Sequence, residues 1–234
     1  MAFDFAADFW DNTHVNPILK RTLTGIAVGA VVIAAILLAP RWMFLPATAC
    51  LAGLAIMEFM SLALRRNPPA TGWRAILLLV GLAAIAGGIY ALAEIALRHG
   101  NVMLLYVVAI VKFSDVGGFA VGTATAKLVK GGNHKMCPTV SPAKSWEGLA
   151  GSLVFSCAVS CAFIPATHFA VWKALAFGVA AALLGTAGDL VESKFKRWVG
   201  VKDSSTMKIT NGMGGVLDML DSLIIAPAVL LAAI

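Results

Sequence analysis

Two aspartates, Asp218 and Asp221, stand three residues apart at the start of an apolar stretch near the C-terminus. Residues three apart on a helix project from the same face. Carboxylates placed in this way repel each other unless a cation lies between them, and Mg²⁺, which binds one or two carboxylates together with phosphate oxygens, is the natural candidate. The alternative is a pair of membrane carboxylates neutralised by nearby lysines, and the spacing alone leaves both open.

Other charged side chains also fall within apolar runs. Placing a charged side chain at the centre of a membrane helix costs about 2.5–3.5 kcal/mol on membrane-insertion scales, so each of these residues needs a partner or a function. Asp115 and Asp189 each lie towards the end of a run, and Lys112 precedes Asp115 by three residues. Glu58 and Glu192 occupy similar positions in their runs. These carboxylates are expected at a similar depth below one face of a membrane.

Three polar segments could bind phosphate. The densest holds Ser193, Lys194, Lys196, Arg197, Lys202 and Asp203, and an earlier segment holds Ser141 and Lys144. Asn211–Gly215 precedes the Asp218 helix, and the glycines Gly214 and Gly215 would let backbone amides approach an anion at the helix N-terminus. The alternative for the basic segments is a set of cytoplasmic loops that bind anionic lipid.

The elements that must position these residues are membrane helices. Of the 234 residues, 60% are hydrophobic and only 13% are charged, against about 25% charged in ordinary soluble domains. This composition excludes a soluble globular domain, a disordered chain, a nucleic-acid-binding module and a disulfide scaffold. The net charge of +6 fits cytoplasmic loops and contacts with lipid headgroups instead.

The apolar runs predict an all-α, polytopic integral membrane bundle with about seven transmembrane helices. The predicted spans are 22–39, 42–64, 74–97, 102–123, 147–165, 169–192 and 214–233. We expect a single membrane domain over residues 1–234, with an N-terminal tail or interfacial helix at 1–19 and cytoplasmic motif loops at 124–146 and 193–213. The tail carries three aspartates and no lysine or arginine before Lys20, which argues against a secretory signal.

Basic residues predict the orientation. Fourteen lysines and arginines fall on alternate loops beginning with the N-terminal segment, whereas three, Arg41, Arg98 and Lys173, fall on the opposite side. Such a bias places the N-terminus and the motif loops in the cytoplasm and the C-terminus outside.

Four ordered motifs resemble the signature of the phosphatidate cytidylyltransferases, the CDP-diacylglycerol synthases. They are Ser114–Gly122, Ser141–Gly148, the Ser-x-Phe-Lys-Arg segment at 193–197 followed by Lys202-Asp203, and Gly214-Gly-x-x-Asp-x-x-Asp-Ser222. The likeness extends over about residues 20–225. Among the departures from this signature, Met213 stands where the family usually has histidine, Met219 where it usually has arginine, and Ser205 where it usually has glycine.

The resemblance implies a Mg²⁺-dependent enzyme of the bacterial inner membrane that converts CTP and phosphatidate from the inner leaflet to CDP-diacylglycerol and pyrophosphate for phospholipid synthesis. Asp189, Asp218 and Asp221 would hold Mg²⁺, with a second cation possible, and Asp115 either supports this site or pairs with Lys112. Lys196 and Arg197 would complete the catalytic set. The resemblance assigns substrate binding to Ser193, Lys194, Lys202, Asp203, Lys144, Ser141, Gly214 and Gly215. It also suggests a homodimer among membrane lipids and no nucleic-acid partner.

Two alternatives to this activity stay open. One is a CTP-dependent lipid kinase of related fold, acting on a different lipid acceptor. The other is a catalytically impaired paralogue that acts as a transporter or scaffold, which the two methionine replacements favour because methionine neither binds phosphate as a cation nor transfers a proton.

Overall fold

The structure, a computed structural model, describes residues 17–65, 73–129, 131–200 and 215–234. The first helix, α1 (Pro17–Leu38), belongs to a compact unit that ends at Ala39. Proline is favoured at a first helical position because the N–H it lacks would have had no partner there. Of the tail predicted at 1–19, residues 1–16 lie outside the described residues, and residues 17–19 belong to α1.

The second unit runs from Pro40 to Ile234, and its described residues form helices and one hairpin. A 3₁₀ turn, Arg41–Met43, precedes its first helix, and one π turn, Ile95–His99, extends its second. The helices are α2 (Phe44–Arg65), α3 (Trp73–Glu94), α4 (Asn101–Leu128), α5 (Trp146–Ala162), α6 (Ile164–Thr167), α7 (Val171–Val199) and α8 (Val216–Leu231).

Helices α4, α5, α7 and α8 form the centre of this unit. Helix α5 packs along α4, α7 packs against α5 and α8, and α8 also contacts α3. Small residues permit the closest of these contacts, as is common between membrane helices. A Cβ added at Gly151 would lie 2.5 Å from the carbonyl oxygen of Gly117, and one added at Gly117 would lie 2.6 Å from that of Gly151. The backbones of α4 and α5 therefore meet directly.

A short antiparallel hairpin joins α4 to α5. Its strands are β1 (Lys135–Cys137) and β2 (Ser141–Ser145), with Lys135 paired to Ser145 and Cys137 paired to Ser141. Ser145 Oγ accepts a 3.1 Å hydrogen bond from the backbone N–H of Gly148 and so caps α5,. Asn133 Nδ2 donates to the carbonyl of Gly122 at 2.7 Å, which ties the hairpin to α4. Lys144 on β2 is thereby held against the bundle.

The apolar helices confirm an all-α, polytopic membrane protein. Among the described residues, four stretches are long and apolar enough to cross a membrane, and shorter apolar helices cover Ala27–Leu38 and Trp146–Ala162. The four stretches are Arg41–Leu64, Ala75–His99, Asn101–Leu128 and Val171–Val199. The count of seven spans, the single-domain organisation and the orientation stay predictions.

Both predicted motif loops begin too early. Helix α4 continues to Leu128, so the start of the predicted loop 124–146 is helical, and the hairpin occupies much of the remainder. Helix α7 continues to Val199, so the first seven residues of the predicted loop 193–213 are helical as well. Lysine and arginine have high helix propensity, so a polar segment rich in them can continue a helix. Gly200, at φ 78°, ends α7 in a left-handed cap,.

Candidate active site

Helix α7 places its polar residues in line along one face. Asp189, Glu192 and Lys196 occupy positions i, i+3 and i+7, which lie on the same side of a helix. Lys196 Nζ lies 3.0 Å from Glu192 Oε1 within this helix, and it also forms an ion pair with Asp218 in the first turn of α8. The extension of α7 beyond the predicted span is what brings Lys196 to α8.

Asp218 is held by its own helix start as well as by Lys196. Its Oδ2 accepts a 3.2 Å hydrogen bond from the backbone N–H of Gly215, which satisfies one of the N–H groups that a helix N-terminus leaves unpaired. Glu58 of α2 accepts a 2.8 Å hydrogen bond from another of these groups, the N–H of Leu217. Two carboxylates therefore fix the start of α8.

Asp189 faces the hairpin. Lys144 Nζ lies 2.7 Å from Asp189 Oδ2 and also donates to the carbonyl of Thr186 at 3.1 Å. A Cβ added at Gly188, the preceding residue, would lie 2.5 Å from the carbonyl oxygen of Asp221. This close approach of α7 to α8 brings the carboxylates of Asp189 and Asp221 within hydrogen-bonding reach of each other.

Asp115 on α4 joins the same region. Its Oδ2 accepts a 2.9 Å hydrogen bond from Ser222 Oγ and lies 3.3 Å from Lys112 Nζ. Asp115 is also close enough to Asp189 for their charges to repel. The predicted pairing of Asp115 with Lys112 is therefore present, and it lies beside the Asp189–Asp221 pair.

The donor set around Asp189 and Asp221 fits a magnesium ion. Asp189 Oδ1 is buried and has no hydrogen-bond partner among the described residues, and the adjacent Asp221 carboxylate, when ionised, can only accept. Two neighbouring carboxylates with an unsatisfied oxygen suit an ion that binds one or two carboxylates and keeps other positions for phosphate or water. No cluster of three or more Asp, Glu, His or Cys among the described residues is arranged to hold a metal, and Asp218 points to Lys196 instead.

Asp189 and Asp221 line two different cavities. The polar cavity, about 220 Å³, lies between α4, the hairpin, α5 and α7, and is lined by Asp115, Lys144 and Asp189 among others. The apolar groove, about 360 Å³, lies between α2, α3, α7 and α8, and its few polar lining residues include Asp221. Each of the two neighbouring aspartates therefore belongs to one cavity, the first with charged side chains in its wall and the second with a largely apolar wall.

Comparison with known proteins decides the family. Residues 66–234, more than half of the chain, match the model of the Cytidylyltransferase family. The chain belongs to this family.

Curated phosphatidate cytidylyltransferases are similar to about half of the chain. That of Mycobacterium bovis is 43% identical over 125 residues, which cover 52% of this chain and 36% of the relative. The enzyme of Haemophilus influenzae is 40% identical over 134 residues, which cover 53% of this chain and 43% of the relative. The enzyme of Staphylococcus aureus is 41% identical over 121 residues, which cover 51% of this chain and 44% of the relative. The chain thus matches less than half of the length of each of these relatives.

Within the family region, the structure brings together part of the predicted site. Asp115, Lys144 and Asp189 line the polar cavity, Asp221 lies next to Asp189, and Asp218 pairs with Lys196. Gly215 stands directly before α8. Lys202, Asp203 and Gly214 lie outside the described residues.

The remaining predicted residues lie on the periphery of these contacts. Ser193 and Lys194 are on α7, with Lys194 exposed. Arg197 is also exposed, and its Nε donates to the carbonyl of Val140 at 3.4 Å. Ser141 begins β2. Their roles in substrate binding stay predictions.

Sequence reasoning missed two contributors. Ser222 connects Lys112 to Asp115; it is the last residue of the Gly-Gly-x-x-Asp-x-x-Asp-Ser motif, but no role was predicted for it from the sequence. Thr186 acts through its backbone carbonyl, which leaves no signal in side-chain type. Glu192 was predicted to be a carboxylate within the membrane, but its ion pair with Lys196 was not predicted, because Lys196 was expected to bind phosphate.

Proposed function

We propose that this integral membrane protein transfers a cytidylyl group from CTP to phosphatidate, giving CDP-diacylglycerol and pyrophosphate for phospholipid synthesis. Membership of the cytidylyltransferase family supports the reaction class. The observation that carries the assignment to this site is the Asp189–Asp221 pair, which stands between a polar cavity and an apolar groove. A reaction between a water-soluble nucleotide and a lipid phosphate needs such a boundary.

In this reaction a phosphate oxygen of the lipid attacks the α-phosphorus of CTP. The bond from the α-phosphorus to the bridging oxygen of the β-phosphate breaks, and pyrophosphate leaves with the electron pair. A general base is not needed because the attacking phosphate is already ionised at neutral pH. Two anions must approach each other, so charge neutralisation and positioning supply most of the catalysis.

Different residues would bind the triphosphate, neutralise its charge and hold the metal ion. Lys144, held at a fixed position by Asp189 and the Thr186 carbonyl, presents a positive charge to the polar cavity, where the triphosphate would bind. Lys196, held by Glu192 and Asp218, presents a second charge between α7 and α8. Asp189 and Asp221 would hold Mg²⁺, which when bound neutralises phosphate charge and stabilises the leaving pyrophosphate.

The apolar groove supports a lipid as the acceptor. Its wall includes Phe59, Ala84 and Trp198, and Asp221 also lines it. An acyl chain in this groove would place its phosphate at the aspartate pair. With the motif segments cytoplasmic, as the distribution of basic residues predicts, the lipid would come from the inner leaflet of a bacterial inner membrane. A homodimer stays part of this proposal.

The deciding experiment uses CTP radiolabelled separately at the α- and γ-phosphates, with purified protein, Mg²⁺ and phosphatidate in detergent. A cytidylyltransferase moves the α-label into lipid and releases the γ-label in pyrophosphate, whereas a lipid kinase moves the γ-label into lipid. Asp221→Asn should abolish transfer. Glu94→Gln, a carboxylate paired with Arg98 outside the site, should leave it unchanged. Transfer of neither label, or equal activity of Asp221→Asn, would contradict the proposal and leave the transporter or scaffold interpretation.

A second experiment tests whether the apolar groove binds the acyl chain of the acceptor, by filling the groove with a larger side chain. Ala84→Trp puts a large ring into the groove, and Ala83→Trp puts the same ring on a neighbouring exposed position outside it. We expect Ala84→Trp to raise KM for long-chain phosphatidate while KM for CTP and for a short-chain analogue stays at the parental value. Equal effects of the two variants would show that the groove does not bind the acceptor.

A further inference from the structure

The hydroxyl group of Ser145, at the end of β2, is buried and accepts two hydrogen bonds. The residue is only 4% exposed. Its Oγ accepts from the backbone N–H of Gly148 at 3.1 Å and from Asn133 Nδ2 at 3.2 Å. A hydroxyl group has two acceptor lone pairs and one O–H donor. Because both lone pairs are occupied, Ser145 can form a further hydrogen bond only as a donor.

The neighbouring amide of Asn133 does not accept the Ser145 hydrogen. Its Nδ2 also donates to the carbonyl of Gly122 at 2.7 Å, and exchanging the amide oxygen and nitrogen would bring two acceptor oxygens together. The Gly122 carbonyl therefore fixes the amide in the orientation that donates to Ser145. Asn133 Oδ1 is buried without a hydrogen-bond partner. Among the described residues, no acceptor receives the Ser145 hydrogen.

Ser145 lines the polar cavity next to Lys144. The Lys144 ammonium donates to Asp189 Oδ2 and to the carbonyl of Thr186, which accounts for two of the three N–H donors of an ammonium. Within the part of the chain that the structure describes, its third N–H and the Ser145 O–H both lack an acceptor. Two such donors from adjacent residues in the wall of one cavity suit an anionic oxygen.

Ser152 in the same cavity shows the ordinary arrangement. It also lines the polar cavity and is 5% exposed, but its Oγ donates to the carbonyl of Ser114 at 2.9 Å. Its hydrogen is therefore used within the protein, as is usual for a buried hydroxyl. Leaving a buried donor unpaired is costly, so the free hydrogen of Ser145 indicates an acceptor that comes from a ligand.

We propose that Ser145 is a substrate-binding residue, which donates its hydroxyl hydrogen to a phosphate oxygen in the polar cavity beside the ammonium of Lys144. The proposal rests on the proposed function for the identity of the ligand, whose phosphate belongs to the nucleotide or to the lipid. The ammonium supplies charge, and the hydroxyl adds a donor of fixed direction. Its position is fixed because the same hydroxyl caps α5 and is held by Asn133.

The test measures equilibrium binding of radiolabelled CTP with Mg²⁺ and without phosphatidate, so that no transfer is needed. Ser145→Ala should weaken CTP binding about 10–100-fold, as expected when a hydrogen bond to a charged acceptor is lost. Ser145→Thr keeps the hydroxyl and should bind CTP as the parent does. A raised KM for phosphatidate with parental CTP binding would assign the hydrogen bond to the lipid phosphate. Parental values of both in Ser145→Ala would overturn the proposal.

Two further variants separate substrate binding from the structural role of the hydroxyl. Ser152→Ala removes a hydroxyl from the same cavity whose hydrogen is already used, so it should lower Tm and leave CTP binding and the KM for phosphatidate unchanged. Equal losses in Ser152→Ala and Ser145→Ala would attribute the effect to packing and contradict the proposal. Ser145→Gly retains most of the helix capping, so it should lose binding as Ser145→Ala does with a smaller fall in Tm. It decides the test if Ser145→Ala does not fold.

The binding measurement also distinguishes a failure of this inference from a failure of the proposed function. A parent protein that binds CTP without transferring its cytidylyl group would contradict the proposed function, while the CTP affinities of the Ser145 variants would still test the inference. A parent protein that transfers, with Ser145→Ala and Ser145→Gly at parental affinity for both substrates, would contradict the inference alone. A parent protein that neither binds CTP nor transfers would contradict both.

Discussion

Glu58 should control the stability of the helix that carries Asp218 and Asp221. Its side chain is only 4% exposed, and its Oε2 accepts the 2.8 Å hydrogen bond from the Leu217 N–H at the start of α8. Glu58→Leu keeps a side chain of similar size and leaves that N–H buried without an acceptor. An unsatisfied buried donor costs about 1–3 kcal/mol, and the lost attraction between a carboxylate and a helix N-terminus adds about 0.3–1 kcal/mol.

Glu58→Gln separates the two contributions, because its amide oxygen still accepts while the charge is gone. Removing a buried charge also relieves a desolvation cost, so this variant should lose less than about 1 kcal/mol. The free energies of unfolding can be measured by titrating detergent-solubilised protein with sodium dodecyl sulfate and following circular dichroism.

We expect the free energy of unfolding to decrease from the parent protein to Glu58→Gln and to decrease further in Glu58→Leu. Transfer activity should fall in the same order, because the start of α8 becomes less well fixed. If Glu58→Leu were as stable as Glu58→Gln, the hydrogen bond to Leu217 would not hold the start of α8, and the reasoning would fail.

Two further predictions concern the contacts that bring the aspartates together. Gly188→Ala should destabilise the protein by about 1–3 kcal/mol and reduce activity, since the new methyl group would meet the Asp221 backbone, whereas Gly87→Ala, with no atom within 4 Å of the added carbon, should not; the same unfolding titration measures both. Lys144→Met should lower the transfer rate about 10–100-fold because Asp189 loses its ammonium partner, and Lys135→Met on the neighbouring strand should have little effect in the radiolabel assay. Equal losses in either matched pair would contradict the assigned contact.

The helices were predictable because the apolar runs are long, and each predicted span has a counterpart among α1–α5, α7 and α8. Their ends were not predictable from polarity. The segment 193–199 is rich in lysine and arginine, which predicted a loop, but its helix propensity and the position of Gly200 determined where α7 ends. The hairpin was also missed, since its short strands have no alternating apolar pattern.

The membership of the site was predictable, whereas the pairing inside it was not. The family resemblance implied that Asp189, Asp218 and Asp221 would share one ion, and the apolar runs predicted that they lie at a similar depth. In the structure, Asp218 pairs with Lys196, and Asp189 lies next to Asp221. Sequence spacing does not fix the register between two helices, so these partners could not be read from the sequence.

The distribution of lysines explains why the pair that remains is suited to a metal. Lys112, Lys144 and Lys196 come from three different elements and lie against Asp115, Asp189 and Asp218 respectively. Among the described residues, Asp221 has no lysine or arginine within ion-pair distance, and Asp189 keeps one oxygen without a donor. Asp221 and the unpaired Oδ1 of Asp189 are therefore the places in this cluster of aspartates that have no cationic partner within ion-pair distance among the described residues. Under the proposed function, a divalent ion bound there would supply positive charge and contribute to both stability and phosphate binding.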